Sequence, residues 1–178
     1  MIIGLTGTMG AGKGEVAEIL KEKGYEYYVF SDIVKEKAKK LGLELTRENL
    51  QKVGNIIRDK EEPGYLAKRL IARFKSDKVV VDGVRSSDEI RVLRKAGKFI
   101  LIGIDAPQSL RFKRLRKRAR QGDPIDFEDF KRVDDKENKS IGKGQEINKC
   151  LEMADFKIIN SSSLKDLRNK VEKILSNL

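Results

Sequence analysis

The chain has 178 residues, enough for one domain with a substantial apolar core, and no apolar run approaches the roughly 20 residues that span a bilayer. Charged residues make up 38% of the sequence and the formal net charge is +11, which favours a polyanionic partner that phosphates or a nucleic acid could equally supply. Cys150 is the only cysteine, which excludes a disulfide framework, and the first strand begins without a signal-peptide layout, so we expect a reducing cytoplasmic location.

A glycine-rich loop between a predicted strand and a predicted helix opens the chain. An apolar run at 2–5 leads into this loop, whose spacing fits the P-loop pattern G-x-x-x-x-G-K. Glycines let several backbone N–H groups point at one anion, and the dipole of the helix predicted at 12–23 adds positive potential at the same place. Lys13 supplies a mobile charge for the β and γ phosphates of a nucleoside triphosphate. The predicted ATP-binding residues of the loop are Gly7, Thr8, Met9, Gly10, Ala11, Gly12, Lys13, Gly14 and Glu15.

The residue after Lys13 departs from the general P-loop pattern. Ser or Thr usually stands there and helps to hold Mg²⁺ through its hydroxyl, whereas this chain has Gly14. Adenylate kinases and their relatives also carry G-K-G, so the loop resembles that of nucleoside-monophosphate kinases, although Thr follows in that family and Glu15 follows here. The resemblance implies an enzyme that uses ATP and Mg²⁺.

A strand is predicted at 25–30, followed by helices at 33–41 and 47–60. The strand leads into Ser31-Asp32-Ile33-Val34-Lys35, which resembles the Gly-Asp-x-Leu-Arg with which adenylate kinases grasp the acceptor. The resemblance implies that Lys35 contacts the acceptor phosphate, and Arg58 is a further candidate for that contact. Asp32 either orients the substrate or caps a helix; related dephospho-coenzyme A kinases place an aspartate here that is proposed to take the acceptor's hydroxyl proton. We therefore predict an acceptor-binding insert at 31–63.

The β-branched run 79–81 predicts a buried parallel strand that ends in Asp82-Gly83-Val84-Arg85. A carboxylate in that position can hold Mg²⁺ through water, although a solvated turn is the alternative. The segment resembles the Asp-Gly-Phe-Pro-Arg of adenylate kinases with one residue missing, which implies that Arg85 binds acceptor phosphate. Four residues further on, Glu89 stands where that family reads the acceptor base with glutamine; it either reads a base or begins a helix.

A strand is predicted at 99–104 and a strongly basic helix at 109–120. The helix could be a solvated surface or a nucleic-acid patch, but Arg114-Leu115-x-x-Arg118 also resembles the start of the adenylate kinase lid. In that resemblance Arg114 packs on the donor adenine and Arg118 reaches the transferring phosphate. The segment 132–137, Arg-Val-Asp-Asp-Lys-Glu, resembles the far side of the lid. This resemblance implies that Arg132 also contacts the transferring phosphoryl group. We predict a small lid at 116–142 without a zinc-binding cysteine set.

A strand at 156–159 and a helix at 164–178 close the chain, and 153–164 resembles the dephospho-coenzyme A kinase segment whose loop wraps the donor base. Strands alternate with helices throughout, which predicts an α/β three-layer sandwich: a parallel central sheet of about five strands with helices on both faces, the P-loop NTP hydrolase fold. We find no repeat or linker, so residues 1–178 are predicted to form one P-loop kinase domain.

These patterns predict an ATP-dependent phosphotransferase that moves the γ-phosphoryl group to a nucleotide acceptor, with AMP as the default. The overall resemblance is to small archaeal adenylate-kinase-related proteins. The expected catalytic residues are Lys13, Arg85, Arg118 and Arg132, with Asp82 holding Mg²⁺ through water. A dephospho-coenzyme A kinase-like enzyme and a nucleic-acid-linked P-loop ATPase are the alternatives, a nucleic-acid partner is not favoured, and GTP as donor and the oligomeric state stay open.

Overall fold

Strands and helices alternate along the chain in the computed structural model, which describes residues 1–120, 122–138 and 146–178. The strands are β1 (Ile2–Gly7), β2 (Glu26–Val29), β3 (Val79–Asp82), β4 (Phe99–Asp105) and β5 (Phe156–Ile159). The helices are α1 (Lys13–Glu22), α2 (Phe30–Lys40), α3 (Arg47–Lys60), α4 (Tyr65–Ile71), α5 (Ser87–Lys95), α6 (Gln108–Arg118), α7 (Phe127–Asn138), α8 (Ile147–Glu152) and α9 (Leu164–Leu175).

The strands form one parallel sheet in the order β2-β3-β1-β4-β5, which confirms the predicted fold class. Every residue of β1 is buried, as expected for a central strand covered on both faces. β1 pairs with β3 on one side and with β4 on the other, so its carboxyl end lies where the connections diverge. Ligands of open parallel sheets bind at such a point, and here the P-loop occupies it.

Apolar side chains fill both faces of the sheet because successive residues of each strand point to opposite sides. Ile3 and Leu5 of β1 pack with the apolar stripes of α1 and α9, whereas Ile2 belongs to the cluster built from α2 to α5 and α8. A third, small cluster joins Met9 of the P-loop to α6 and α7. The P-loop therefore packs against the sheet through Ala11 and against α6 and α7 through Met9.

The structure differs from the sequence prediction between the sheet strands. α2 begins at Phe30 with Val29 as its N-cap, so Asp32 lies inside the first turn and does not cap the helix. α7 forms within the predicted lid, with Phe127, Phe130 and Val133 as its apolar face, and α8 is a further helix for which no prediction was made. Residue 121 and residues 139–142 of the predicted lid lie outside the described residues.

Within the described ranges, no helix has both the length and the apolar character required to traverse a lipid bilayer.

Candidate active site

The P-loop backbone adopts conformations that require glycine. Gly7 and Gly12 have φ angles of 145° and 105°. A Cβ atom at Gly7 would lie 1.9 Å from the carbonyl oxygen of Ile104, and one at Gly12 would lie 2.3 Å from Nδ2 of Asn160. The loop can therefore curl against β4 and the segment after β5 only because these positions have no side chain. This curl directs the first N–H groups of α1 towards the cleft.

The ammonium group of Lys13 lies at the mouth of this loop. Its Nζ atom donates hydrogen bonds to the carbonyl oxygens of Gly7 at 2.7 Å and Thr8 at 2.9 Å. Burial lowers the pKa of Lys13 to about 8; the carboxylate of Asp82 opposes this shift and the guanidinium of Arg85 reinforces it. Among the residues that the structure describes, no carboxylate bonds directly to this partly desolvated cation, an arrangement that an incoming phosphate would stabilise.

Two residues that the sequence did not single out anchor the P-loop. Asp105, at the end of β4, accepts a hydrogen bond from Oγ1 of Thr8 at 2.6 Å. Asn160, directly after β5, donates from Nδ2 to the carbonyl oxygen of Ala11 at 2.9 Å, while its backbone N–H donates to the carbonyl oxygen of Asp105. The available signal was position, because each polar residue stands where a predicted parallel strand ends, at the same edge of the sheet as the loop.

A buried ion pair between α6 and α7 also contacts the P-loop. Arg111 of α6 binds Asp134 of α7 through two parallel hydrogen bonds of 2.6 and 2.7 Å, and the residues are 3% and 1% exposed. The same guanidinium donates to the carbonyl oxygen of Met9 at 3.1 Å and lies over the ring of Phe130. Sequence reasoning placed Arg111 in a basic stretch, in which it is not distinguishable from its solvated neighbours.

Asp82 ends β3 beside the P-loop. Its Oδ2 atom accepts a hydrogen bond from the hydroxyl of Tyr27 at 3.1 Å, and Oδ1 is buried without a hydrogen-bond partner among the described residues. Because Asp82 lies at the cleft and its carboxylate still lacks a hydrogen bond from the described residues at one oxygen, the residue fits the predicted role of accepting from the water shell of Mg²⁺. Gly14 offers no hydroxyl, and the described residues hold no cluster of three metal-ligating side chains. Any Mg²⁺ here would depend largely on water and on the phosphates of the nucleotide.

Arg85, Arg58 and Glu89 form a charged group beside this carboxylate. Burial lowers the pKa of Arg85, and the carboxylate of Glu137 partly offsets that effect. Arg58 pairs with Glu89 at 2.9 Å, and the two side chains are 8% and 1% exposed. Glu89 also accepts from the backbone N–H groups of Arg85 and Ser86 in a capping box at the start of α5. Its carboxylate is fully engaged, so Glu89 begins a helix, which was one of the two interpretations.

The predicted donor and lid arginines occupy different environments. Arg114 donates to the carbonyl oxygen of Asn160 at 2.9 Å, and burial lowers its pKa. Arg118 makes two 2.8 Å hydrogen bonds to Asp123, which hold the pKa of that carboxyl below its usual range. Arg132 is 79% exposed and pairs with Asp129.

Arg47 of α3 connects the predicted insert to the predicted lid. Its Nη2 atom lies 2.6 Å from Oε1 of Glu137 on α7, and Nη1 lies 3.8 Å from Asp123. The same guanidinium contacts the sulfur of Met9. Insert, lid and P-loop are therefore in contact in this conformation.

The predicted acceptor residues Asp32 and Lys35 pair with each other on the surface of α2. Their side chains are 55% and 43% exposed, and the ion pair is 2.9 Å long. The negative charge of Asp32 nevertheless contributes to raising the pKa of Tyr27, after the larger effects of burial and Asp82. Asp32 thus lies near the Asp82 end of the site, whereas the Lys35 ammonium is paired with Asp32.

These parts surround an open cleft of about 920 Å³ beside the P-loop. Lys13, Asp82, Arg114 and Arg118 all line the cleft, together with Gly10, Gly12 and Gly14 of the loop, Glu15 and Tyr27. Asp32, Lys35, Arg58, Arg85 and Arg132 are not among the lining residues. The structure therefore brings the predicted donor site together, and leaves the predicted acceptor residues behind it or on the surface.

Comparisons with known proteins bear on this arrangement. The structure is similar in fold to that of a shikimate kinase from Acinetobacter baumannii in complex with shikimate. The two are 21% identical with a TM-score of 0.60, and the match covers 99% of this chain and 93% of that chain. A gluconokinase from Sinorhizobium meliloti gives 16% identity and a TM-score of 0.56, with 98% and 91% covered. At these identities the likeness concerns the fold, which is that of P-loop kinases.

Closer relationships come from sequence. A UPF0200 protein of Hyperthermus butylicus is 35% identical over 100% of this chain and 95% of its own length. The model of a family described as AAA domain matches residues 3–140. With a family model that covers most of the chain and a relative that aligns along its whole length, the chain belongs to the AAA-domain family of P-loop proteins and to the UPF0200 proteins.

Proposed function

We propose that this protein is an ATP-dependent phosphotransferase whose acceptor is a nucleotide that carries a phosphate, with AMP as the default. The observation that carries the proposal is the convergence of the side chains of Lys13, Asp82 and Arg118 on one cleft. Phosphoryl transfer needs charge neutralisation, alignment and exclusion of water more than covalent chemistry. The lack of histidine in the sequence is compatible with such a reaction.

The donor site is the best-supported part of the proposal. The curled P-loop offers backbone N–H groups to the β and γ phosphates, and Lys13 leaves its two carbonyl partners to bind the same oxygens. Arg114, held against the segment after β5, provides a flat guanidinium for the base of the nucleotide. Asp82 would hold the water shell of a bound Mg²⁺, which would supply neutralisation of the phosphate charge.

The acceptor site would lie on the other side of Asp82. Burial lowers the pKa of Arg85, its guanidinium adds to the lowering of the pKa of Lys13, and the carboxylate of Asp82 opposes both shifts. A phosphate monoester would stabilise this desolvated cation, which supports an acceptor with a phosphate group. Arg58 acts on the acceptor through Glu89 and Arg85 rather than by direct contact. Asp32 and Lys35 would form the outer edge of that site.

The lid supplies the remaining charge. Arg118 lines the cleft already, and exchange of its Asp123 partner for the γ-phosphoryl group would bring it onto the transferring oxygens. Arg132 would need a rearrangement of α7 to do the same, because it is largely exposed here. Closure of insert and lid over the bound pair would exclude water from the reaction.

The acceptor can be identified by steady-state kinetics with ATP or GTP as donor. AMP, GMP, CMP, UMP and dephospho-coenzyme A are compared by kcat/KM, with Lys13→Ala as the inactive control. We expect a nucleoside monophosphate to be preferred and transfer to disappear in the variant. A preference for dephospho-coenzyme A would support the proposed phosphotransferase activity but contradict a nucleoside monophosphate as its acceptor. Turnover of ATP that depends on RNA and on no monophosphate would contradict the proposal.

A further inference from the structure

Tyr27 lies beside the proposed metal-binding carboxylate without any role in the function proposed above. Its side chain lines the cleft, and its hydroxyl donates a 3.1 Å hydrogen bond to Oδ2 of Asp82. The residue is 40% exposed on β2, which is the edge strand of the sheet. A large aromatic side chain at an exposed edge, with its only polar atom on a carboxylate of the site, calls for an explanation.

The two oxygens of Asp82 differ in a way that Tyr27 accounts for. Oδ2 has the phenol as its hydrogen-bond donor, whereas Oδ1 is buried with no partner in the described parts of the chain. A carboxylate bonded through one oxygen is fixed in its rotation about the Cβ–Cγ bond, so the other oxygen keeps one direction. The carboxylate that Tyr27 restrains in this way is the group that the proposed function assigns to the water shell of Mg²⁺.

The neighbouring tyrosine shows that the contact is specific to one face of the strand. Tyr28 points to the opposite side of the sheet, as successive strand residues must. Its hydroxyl donates to the carbonyl oxygen of Arg73 at 3.0 Å, and its ring packs on that of Phe74. The chain thus offers two adjacent phenols in one strand, of which one contacts the site and one does not.

We propose that Tyr27 is a positioning residue for Asp82, which holds the carboxylate in the orientation in which it accepts hydrogen bonds from the water shell of a nucleotide-bound divalent cation. The inference rests on the proposed function, because it takes the metal role of Asp82 from there. Groups that orient the partners of a metal in this way influence metal affinity more than nucleotide affinity. Tyr27 is not required to touch either substrate.

The test measures metal binding without turnover. Mn²⁺ is titrated into protein and a non-hydrolysable ATP analogue, and free Mn²⁺ is followed by electron paramagnetic resonance. We expect Tyr27→Phe to weaken Mn²⁺ binding in the ternary complex about three- to tenfold. Affinity for the analogue in the absence of metal should stay unchanged. Tyr28→Phe, the same substitution on the opposite face, should bind Mn²⁺ as the unmodified protein does.

Asp82→Asn separates failure of this inference from failure of the proposed function. If Asp82→Asn weakens Mn²⁺ binding and Tyr27→Phe does not, the positioning role is wrong and the metal role of Asp82 stands. If neither variant changes Mn²⁺ affinity, the metal role is wrong and the positioning role is wrong with it. Equal losses in Tyr27→Phe and Tyr28→Phe would indicate a general loosening of β2 and would also overturn the inference.

Discussion

Lys13 carries the strongest residue-level expectation, because its ammonium is desolvated before any phosphate arrives. Burial lowers its pKa to about 8, with Asp82, Arg85, Glu137 and Arg118 as the charged groups that act on it. A bound triphosphate raises that pKa, so the complex holds more protons than the free protein at pH 8 and above. The affinity for ATP should therefore fall as the pH rises above about 8.

This pH dependence can be measured by calorimetry. At pH 8.5, ATP binding should take up a fraction of a proton, seen as a difference in binding heat between buffers of different ionisation enthalpy. At pH 6.5 the uptake by this group should vanish, because Lys13 is already protonated. Lys13→Met should bind ATP more weakly and without the extra proton uptake at pH 8.5. Identical uptake in the variant would assign the proton to another group.

Two glycines of the P-loop provide a matched pair of substitutions. Gly12 has φ of 105°, and a Cβ there would lie 2.3 Å from Asn160, whereas a Cβ at Gly14 would meet no atom of the described residues within 4 Å outside its own helix turn. We expect Gly12→Ala to destabilise the free protein by about 2 kcal/mol or more. Gly14→Ala, in the first turn of α1, should be neutral or slightly stabilising. Urea denaturation of both variants measures the difference, and equal stabilities would contradict the observed loop geometry.

At the scale of elements, the buried pair of Arg111 and Asp134 joins α6, α7 and the P-loop. Removal of one partner leaves an unpaired buried charge, so Arg111→Met should cost about 3–5 kcal/mol in the free energy of unfolding. Arg111→Met combined with Asp134→Leu should recover a large part of that loss, because both charges are then absent. A double-mutant cycle by urea denaturation gives the coupling. Additive losses would show that the pair is not the link between these elements.

Arg118 is the lid arginine whose substitution we expect to lower turnover. Arg118→Ala should lower kcat about tenfold or more with a smaller change in the KM for ATP, because its contact strengthens as charge develops on the transferring group. Arg116, exposed on the same helix and not a lining residue of the cleft, is the matched control and should keep its turnover as alanine.

Arg132→Ala tests whether α7 moves during turnover, since the Arg132 side chain is 79% exposed in the present conformation. A loss of kcat similar to that of Arg118→Ala would require α7 to rearrange during turnover. Loss of RNA binding in both lid variants with full turnover would favour the nucleic-acid interpretation of the basic helix.

For the whole molecule, local patterns were enough to predict the sheet and to place the P-loop and Asp82 at the same edge of it. The strand before Gly7, the helix after Lys13 and the strand ending at Asp82 each carry their signal within a few residues, and parallel pairing brings their carboxyl ends to one edge. The buried ion pairs could not be predicted in the same way. Arg111 looks in the sequence like its solvated neighbours, and Glu89 shows only its place near the start of a helix; the packing of distant helices is what shows that both are buried in ion pairs.

The net charge of +11 is shared between the cleft and the outer surface. Lys13, Arg114 and Arg118 direct part of it into the cleft, which would attract anionic substrates. Lys113, Arg116 and other exposed cations on α6 remain available to solvent, so weak, salt-sensitive association with nucleic acid is expected in addition to nucleotide binding. Charge alone therefore does not distinguish the two classes of partner.

The destination of the γ-phosphoryl group is the most direct test of the central claim. Protein and ATP labelled at the γ position are incubated with AMP, with RNA or with neither, and the labelled products are separated. The proposed function predicts that the label appears in a nucleoside diphosphate when AMP or another monophosphate is present, and that little free phosphate forms without an acceptor. Label that appears only as free phosphate, at a rate raised by RNA and unaffected by any monophosphate, would contradict the account.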